Sequence, residues 1–211
     1  MSAILNEPRR SARKAKGDGH LRRAEILEAA ERIFVAHGYE AATIRKIADE
    51  VGVSSTALYM HFRDKDQILL EICTAAMEEL LANNREISAM PIDAVARVRM
   101  MLEAYLRFAL QHPNAYRLVF CSSPATDEIR RQHTTMQIGA ECLDRFASVI
   151  REIAAQGRLR VGDPRSVHQV LWSACHGMIT LMITKPDLDW APPEELTGVM
   201  LDGLLHGVIA D

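Results

Sequence analysis

The stretch from Ile44 to Arg63 constrains this chain more than any other, because it predicts two short helices joined by a tight turn. Gly52 divides the stretch, and glycine tolerates the positive φ that a sharp turn needs. Ser54 or Ser55 can then cap the second helix. Before the turn, apolar residues recur at the spacing of one helix face: Ile44, Ile47, Ala48 and Val51. The pattern therefore predicts a helix-turn-helix.

The second helix of this pair is predicted to pack on the first through Leu58 and Phe62, while Val53 is expected to be buried inside the turn. Ala48 is small enough to let the two helices cross closely. The outward side carries no acid, and it consists of Ser55, Thr56, Ala57, Tyr59, Met60 and His61. Such a surface can approach phosphates and base edges without repulsion. We therefore expect it to bind double-stranded DNA; an ordinary helical hairpin inside a core is the alternative.

Charge is distributed unevenly along the chain, although its net value is only −3. Through Asp66 the chain has 12 Lys and Arg against 10 Asp and Glu, and after Asp66 it has 13 against 18. The basic excess is greatest from Met1 to Arg23, where seven Lys and Arg stand beside two acids. Only the N-terminal part is therefore suited to contact a polyanion.

Signals for export, membrane insertion and metal binding are weak in this sequence. The apolar start from Ala3 to Leu5 is too short for a signal peptide, and no apolar run approaches the roughly 18 residues of a membrane span. We therefore expect a cytoplasmic protein with no membrane partner. The cysteines lack C-x-x-C spacing, so we expect no metal, no cofactor and no disulfide. We interpret them as small apolar core residues, with a redox sensor as the alternative: Cys73, Cys121, Cys142 and Cys175.

Helical periodicity continues through the rest of the chain, and Gly and Pro lie mostly between the periodic runs. Asp64, followed by Gln67, predicts a capped start for a helix reaching about Glu86. That helix would connect the helix-turn-helix to everything downstream. Proline and glycine predict the other boundaries, giving helices at about Leu21–His37, from Pro91, around Tyr116, Pro124–Gln156, from Pro164 and from Pro193. The total is about nine helices in an all-α fold.

The segment from Ala24 to Leu70 resembles the DNA-binding domain of the tetracycline-repressor (TetR) family of bacterial transcription regulators. The similarity begins with an Ile-Leu-x-Ala-Ala helix and continues through Phe34, Gly38-Tyr39, Thr43-Ile44, Ile47-Ala48, Gly52-Val53, Leu58-Tyr59, Phe62 and Lys65. Met60 departs from the pattern, because the family often has a bulky aromatic residue there. The resemblance implies an N-terminal three-helix DNA-binding domain and a C-terminal helical bundle that binds ligand and dimerises.

The same resemblance implies DNA contacts at eight positions: Thr43, Arg45, Ser55, Thr56, Ala57, Tyr59, His61 and Lys65. Arg45 is the best candidate for reading guanine, because its fork can reach O6 and N7 together. Thr43, Tyr59, His61 and Lys65 are better suited to hold phosphates.

We divide the chain into a disordered basic arm (residues 1–19), a helix-turn-helix domain (20–66) and a ligand-binding and dimerisation domain (67–211). The last two predicted helices, about 164–185 and 193–209, carry more apolar surface than one small domain needs. Two copies packing as a four-helix bundle would bury that surface. Such a homodimer would present two recognition helices about one DNA turn apart, so we expect a near-palindromic site.

The downstream domain contains methionines and aromatic residues whose composition favours a small apolar or amphipathic effector. The predicted pocket residues are Met77, Leu81, Met101, Tyr105, Phe108, Tyr116, Phe120, Met136, Phe146, Trp172 and His176. Trp172 and His176 lie four apart and share a helix face, so His176 is either a satisfied core histidine or a polar contact in the pocket. With Gly177 they also resemble a TetR subgroup that carries Trp and His-Gly on its penultimate helix.

We therefore expect a ligand-responsive DNA-binding transcriptional regulator, most simply a repressor released by its effector. A transcriptional activator and an architectural DNA-binding protein without an effector are the alternatives. An enzyme is not expected, because the chain lacks a Gly-x-Ser-x-Gly, a phosphate loop, a dinucleotide fingerprint and a His-Glu-x-x-His motif.

Overall fold

The computed structural model describes residues 18–121 and 134–210, with the side chains of 18–21 and 134 left out of the description. These described residues form nine α-helices, α1 (Asp18–His37), α2 (Ile44–Val51), α3 (Ser55–Tyr59), α4 (Lys65–Ser88), α5 (Ala94–Gln111), α6 (Pro113–Phe120), α7 (Thr134–Ala155), α8 (Pro164–Thr184) and α9 (Pro193–Val208). Within the same residues, β-structure is limited to an isolated antiparallel bridge between Leu159 and Ile209. The expected all-α fold is confirmed.

α1, α2 and α3 form an N-terminal unit that is built on the apolar face of α1. Ile26, Ala30 and Phe34 of α1 are buried at intervals of four residues, which is the spacing of one helix face. α2 packs against α1 and α3 packs against α2. The helix-turn-helix is therefore supported from behind by a single long helix.

α4 connects this N-terminal unit to the rest of the protein. Asp64 caps it by accepting a hydrogen bond from the Gln67 N–H at 2.8 Å, and the Gln67 side chain accepts from the Arg63 N–H. The helix has 24 residues and is about 36 Å long. Because buried residues run from Ile68 to Ile87, α4 belongs to the core of both regions.

The downstream bundle is built on α4, α5, α7 and α8. α4 packs on α7 and α5, while α8 packs on α5 and α7. α6 crosses one end of this bundle and contacts α1, α4 and α5. α9 lies against α5, and Arg99 of α5 pairs with Asp202 of α9.

Five local predictions differ from the structure or lie outside it. The helix predicted from Pro91 begins at Ala94, because the Asp93 side chain caps it by accepting from the Val95 N–H. α1 begins at Asp18, so the last two residues of the predicted 1–19 arm belong to a helix. The rest of the arm and the predicted start of α7 at Pro124 lie outside the described residues. Val53 is only half-buried, because the turn lies at the protein surface. Cys121 is exposed, because it lies past the end of α6, while the other three cysteines are buried.

Candidate nucleic-acid interface and internal cavity

Short-range hydrogen bonds determine the geometry of the helix-turn-helix. Thr43 caps α2, its hydroxyl accepting from the Lys46 N–H at 3.2 Å. Gly52 ends α2 with φ +72°, in the left-handed region, and the Val53 N–H bonds back to the Ala48 carbonyl at 2.9 Å. Ser54 caps α3 by accepting from the Ala57 N–H at 3.1 Å. The turn is thus determined by residues within the motif.

The two sides of α3 differ sharply in exposure. Leu58 is fully buried against Ile47 and Ala48 in the same cluster, whereas Tyr59 is 55% exposed and Met60 83% exposed. Large side chains on this side of the helix are therefore left in solvent rather than packed in the core. The outward side of α3 is therefore open to solvent, as the DNA-binding hypothesis requires.

The predicted DNA contacts lie around this open side, at the start of α2 and along α3. Arg45 is 86% exposed and reaches only a loose ion pair with Asp49, at 3.9 Å. Thr56 is exposed, and Ser55, Ala57 and His61 are half-buried. Thr43 is exposed although its hydroxyl also caps α2. All of these positions are at least partly exposed to solvent.

Lys65 has contacts within the protein that the sequence did not suggest. Its Nζ donates to the Tyr39 carbonyl at 3.0 Å and more weakly to the Ala42 carbonyl at 3.5 Å. The ammonium also lies 4.1 Å from the centre of the Tyr39 ring. The Tyr39 hydroxyl in turn donates to Asp66, and burial raises the pKa of that hydroxyl. Lys65 therefore ties the α1–α2 connection to the start of α4.

Arg23 is a structural residue that sequence reasoning counted only as basic charge. Its Nη1 donates to the His61 carbonyl at 2.5 Å, and its Nη2 bonds Glu71 of α4 at 2.5 Å. The guanidinium also stacks 4.1 Å from the Phe62 ring centre. These partners are distant in sequence, so no local pattern could have indicated that Arg23 joins α1, the end of α3 and α4.

An apolar cavity of about 100 Å³ lies between α4, α5, α6, α7 and α8. Six residues predicted as pocket walls line it: Met77, Met101, Tyr105, Phe120, Phe146 and Trp172. Six further lining residues were missed: Leu80, Asn84, Leu102, Gly139, Cys142 and Leu143. Leu80 and Asn84 follow Met77 at three and seven positions, so helix geometry could have found them.

The other five predicted pocket residues do not line this cavity. Leu81, Phe108 and Tyr116 are buried in the surrounding core. Met136 is 58% exposed, because it lies near the start of α7 on the solvent side. His176 lies beside the cavity, with its ring 5.5 Å from the Trp172 ring.

His176 takes part in a polar cluster next to the cavity. Its Nδ1 is 2.8 Å from the Tyr105 hydroxyl and 2.8 Å from the Tyr116 hydroxyl, and the two hydroxyls are 3.0 Å apart. Burial lowers the pKa of His176 and raises the pKa of Tyr116 to about 12. All three groups are therefore neutral at pH 7, and the cluster links α5, α6 and α8 by hydrogen bonds rather than by charge.

The described residues contain neither a membrane-spanning helix nor a cluster of metal-binding side chains. None of their helices combines the length and apolarity needed to cross a bilayer. Nor do these residues bring together three or more His, Cys, Asp or Glu side chains that could hold a metal ion.

Sequence comparison gives a consistent result over both halves of the chain. Residues 26–72 match the family described as bacterial regulatory proteins, tetR family, and residues 98–204 match the tetracyclin repressor-like C-terminal domain. The transcriptional repressor AcnR of Corynebacterium efficiens is 33% identical over 168 residues, covering 77% of this chain and 82% of AcnR. The transcriptional activator FasR of Mycolicibacterium smegmatis is 31% identical over 136 residues, covering 60% of this chain and 62% of FasR, which is just under two thirds of its length.

A solved structure gives the same answer at the level of the fold. The TetR family regulator PfmR of Thermus thermophilus superposes with a TM-score of 0.72 at 27% identity, covering 86% of this chain and 97% of PfmR. AcnR and FasR are named as transcription regulators and not as enzymes. The chain therefore belongs to the TetR family of bacterial regulatory proteins.

Proposed function

We propose that this protein is a dimeric, effector-responsive repressor that inserts α3 into the DNA major groove. The observation that carries the proposal is the contrast across α3, which buries Leu58 and exposes Tyr59 and Met60. A cytoplasmic activator is the second candidate, because both a repressor and an activator are among the relatives. The sign of regulation depends on where the site lies relative to a promoter.

In this proposal the helix-turn-helix domain spans 20–66, and Arg45 reads guanine through its two parallel N–H donors. Its 86% exposed side chain and loose pairing with Asp49 leave it free to reorient toward a base. Thr43, Tyr59 and His61 hold phosphates, and Ser55, Thr56 and Ala57 allow a close approach. Lys65 has one N–H left for a phosphate after its two carbonyl contacts.

We propose that the dimer forms through α8 and α9, about 164–185 and 193–209. Val170 and Leu181 on α8 are 50% and 51% exposed, and Val199 on α9 is 71% exposed. Isolated exposed apolar residues are ordinary, but three on two adjacent helices favour an interface. A dimer would present two recognition helices to successive major grooves, which requires a near-palindromic site.

The cavity in the 67–211 domain is the proposed effector site. α4 lines it at Met77, Leu80 and Asn84 and begins at Lys65, beside the helix-turn-helix. A ligand that fits one tilt of α4 better than another changes the spacing of the two α3 helices. A coupling of roughly 1–3 kcal/mol would change DNA affinity about 5–150-fold. The existence of a cavity favours this function over an architectural protein without an effector.

A narrower assignment concerns the penultimate helix. Trp172 lines the cavity, and His176 contacts two tyrosines beside it. This arrangement supports the proposed membership in a TetR subgroup that carries Trp and His-Gly on this helix, with Gly177 completing the motif.

Arg45→Ala tests the proposal that α3 and the start of α2 read DNA. A preferred duplex is first selected from a random-sequence library with the wild-type protein. Losing a bidentate guanine contact costs about 1–3 kcal/mol of discrimination, so we expect the ratio of preferred to random affinity to fall roughly 5–150-fold. Salt-titrated fluorescence anisotropy gives both affinities.

The matched control is Arg151→Ala, which removes the same charge from a 55% exposed, ion-paired arginine on α7. We expect this variant to keep the wild-type ratio. An unchanged ratio in Arg45→Ala rejects the reading role of Arg45, and absence of wild-type binding to any duplex at low salt rejects DNA recognition by α3.

A further inference from the structure

The cavity is lined by few polar groups. None of the twelve described residues that line it carries a formal charge. Its polar groups are the Asn84 amide, the Tyr105 hydroxyl, the Cys142 thiol and the Trp172 indole N–H. Burial raises the pKa of the thiol to about 11 and raises the pKa of the hydroxyl further still, so both groups are neutral at pH 7.

Asn84 is the polar side chain with spare hydrogen-bonding capacity. It is only 6% exposed, within the C-terminal half of α4. The Asn84 side chain hydrogen-bonds the Cys142 thiol. An asparagine amide has two N–H donors and an acceptor oxygen, so this one bond leaves the amide with unused hydrogen-bonding capacity. The Tyr105 hydroxyl, by contrast, already bonds Tyr116 and His176. The Trp172 indole N–H also has a partner, because it hydrogen-bonds the Tyr105 hydroxyl. A ligand group entering the cavity therefore finds its free partner at Asn84.

The nearest cations in sequence to the lining are already paired. Arg85, next to Asn84, donates two hydrogen bonds to the Glu141 Oε1 and one to its Oε2, at 2.9–3.0 Å. Arg145, next to Phe146, bonds the same carboxylate at 3.0 Å. Both arginines are substantially exposed, at 55% and 37%. A carboxylate inside the cavity would thus lose its water without gaining a cation, which is costly.

We propose that the cavity takes an uncharged, largely apolar ligand whose hydrogen-bonding group engages Asn84, which makes Asn84 the specificity-determining residue of the effector site. This inference rests on the proposed function of the cavity. The ligand core is at most about one aromatic ring or a short branched chain, since this cavity, at about 100 Å³, is smaller than the dry cavity of about 150 Å³ that accommodates benzene. Met77 and Met101 provide adaptable walls that admit a slightly larger molecule.

The test compares three ring-sized probes that differ in polarity and charge: toluene, benzyl alcohol and benzoate. Binding to the full chain is followed at pH 7.5 by NMR of ¹³C-labelled methionine methyls, where shifts of Met77 and Met101 report the cavity directly. We expect benzyl alcohol to bind more tightly than toluene, by up to about tenfold for one buried hydrogen bond. Benzoate is expected to bind at least about tenfold more weakly than benzyl alcohol.

Asn84→Leu removes the amide while keeping a side chain of similar size. We expect it to reverse the preference, so that toluene binds more tightly than benzyl alcohol. The matched control is Asn83→Leu, the same change at the adjacent, half-buried position of α4, which does not line this cavity; it should keep the wild-type order. If Asn84→Leu does not fold, the wild-type comparison of benzyl alcohol with benzoate still decides whether the ligand is uncharged.

Two kinds of failure are distinguishable. Equal binding of benzoate and benzyl alcohol, or an unchanged preference in Asn84→Leu, overturns this inference and leaves the effector site in place. If none of the three probes shifts Met77 or Met101, both the inference and the proposed effector site are overturned.

Discussion

Gly52 shows how much one residue can control. Its φ of +72° lies in the left-handed region, where a Cβ costs about 1–2 kcal/mol, and it sets the angle at which α3 leaves α2. No atom lies within 4 Å of a Cβ built at this position, so the cost of a substitution is conformational rather than steric.

Gly52→Ala is therefore expected to destabilise the protein by about 1 kcal/mol, measured as a lower midpoint of urea unfolding. Gly198→Ala is the control, because Gly198 lies inside α9 with nothing within 4 Å of a built Cβ and without a positive φ. Alanine there should stabilise the helix by about 0.5–1 kcal/mol. A Gly52→Ala variant as stable as the wild type would show that the turn can adopt another conformation.

At the scale of elements, α6 depends on α1 for its N-terminus. His112 stands at the N-cap position of α6 without making a side-chain capping bond. Glu31 of α1 lies instead close to the Ala115 N–H in the first turn of α6, a contact that acts to lower the pKa of its carboxyl group. The DNA-binding region thus places a carboxyl group at the N-terminus of α6, where the helix dipole favours negative charge. Tyr116 and Phe120 of the same helix face the polar cluster and the cavity.

This contact makes a prediction about pH. Burial raises the pKa of Glu31 above its ordinary value of 4.5. The nearby Ala115 N–H and His112 act to lower this pKa and so partly offset the rise. Between 4.5 and the raised value, the folded protein binds more protons than the unfolded chain, so the contribution of Glu31 to stability falls as pH rises through this window. Glu31→Gln keeps an acceptor oxygen and removes the ionisation.

We expect the melting temperature of Glu31→Gln, relative to wild type, to increase as pH is raised from 4.5 to 8. Glu86→Gln, the same change at an exposed position of α4, should show no such trend. Parallel pH profiles for wild type and Glu31→Gln would argue against a buried carboxylate at this contact.

At the scale of the whole molecule, the proposed dimer explains surface that the single chain leaves open. Val199 of α9 is 71% exposed on a helix that packs against α5 on its other side through Leu201 and Leu205. Val199→Glu would bury an unpaired charge in each half of the interface, which costs about 3–5 kcal/mol.

We therefore expect Val199→Glu to be monomeric at micromolar concentration by light scattering, and to lose high-affinity binding to a near-palindromic duplex. Val161→Glu makes the same change at a 56% exposed valine between α7 and α8, and it should remain dimeric. A dimeric Val199→Glu would place the interface elsewhere.

Prediction from sequence succeeded where the determining contacts are local. Ser54 or Ser55 was expected to cap α3, and Asp64 was expected to cap α4. Ser54 and Asp64 do so, because a cap depends on residues two or three positions away. It was incomplete where contacts span the chain. The polar neighbours of Asn84 in the sequence indicate an exposed helix face, yet Asn84 is buried beside Cys142 of α7. The sequence likewise indicates that Arg23 is an exposed charge, yet Arg23 bonds residues about 40 and 50 positions later.

The amino-acid sequence by itself determined that this chain forms an all-α protein with a helix-turn-helix near its N-terminus, because periodicity, capping residues and Gly52 act over a few neighbouring positions. Only the tertiary structure decided which apolar side chains surround a cavity and which fill the core. It also decided that Asn84 is that cavity's buried amide, and that Glu31 lies at the N-terminus of a helix more than 80 residues away. Those outcomes depend on how α4 to α8 pack against one another, and packing between distant segments leaves no periodic signal in the sequence.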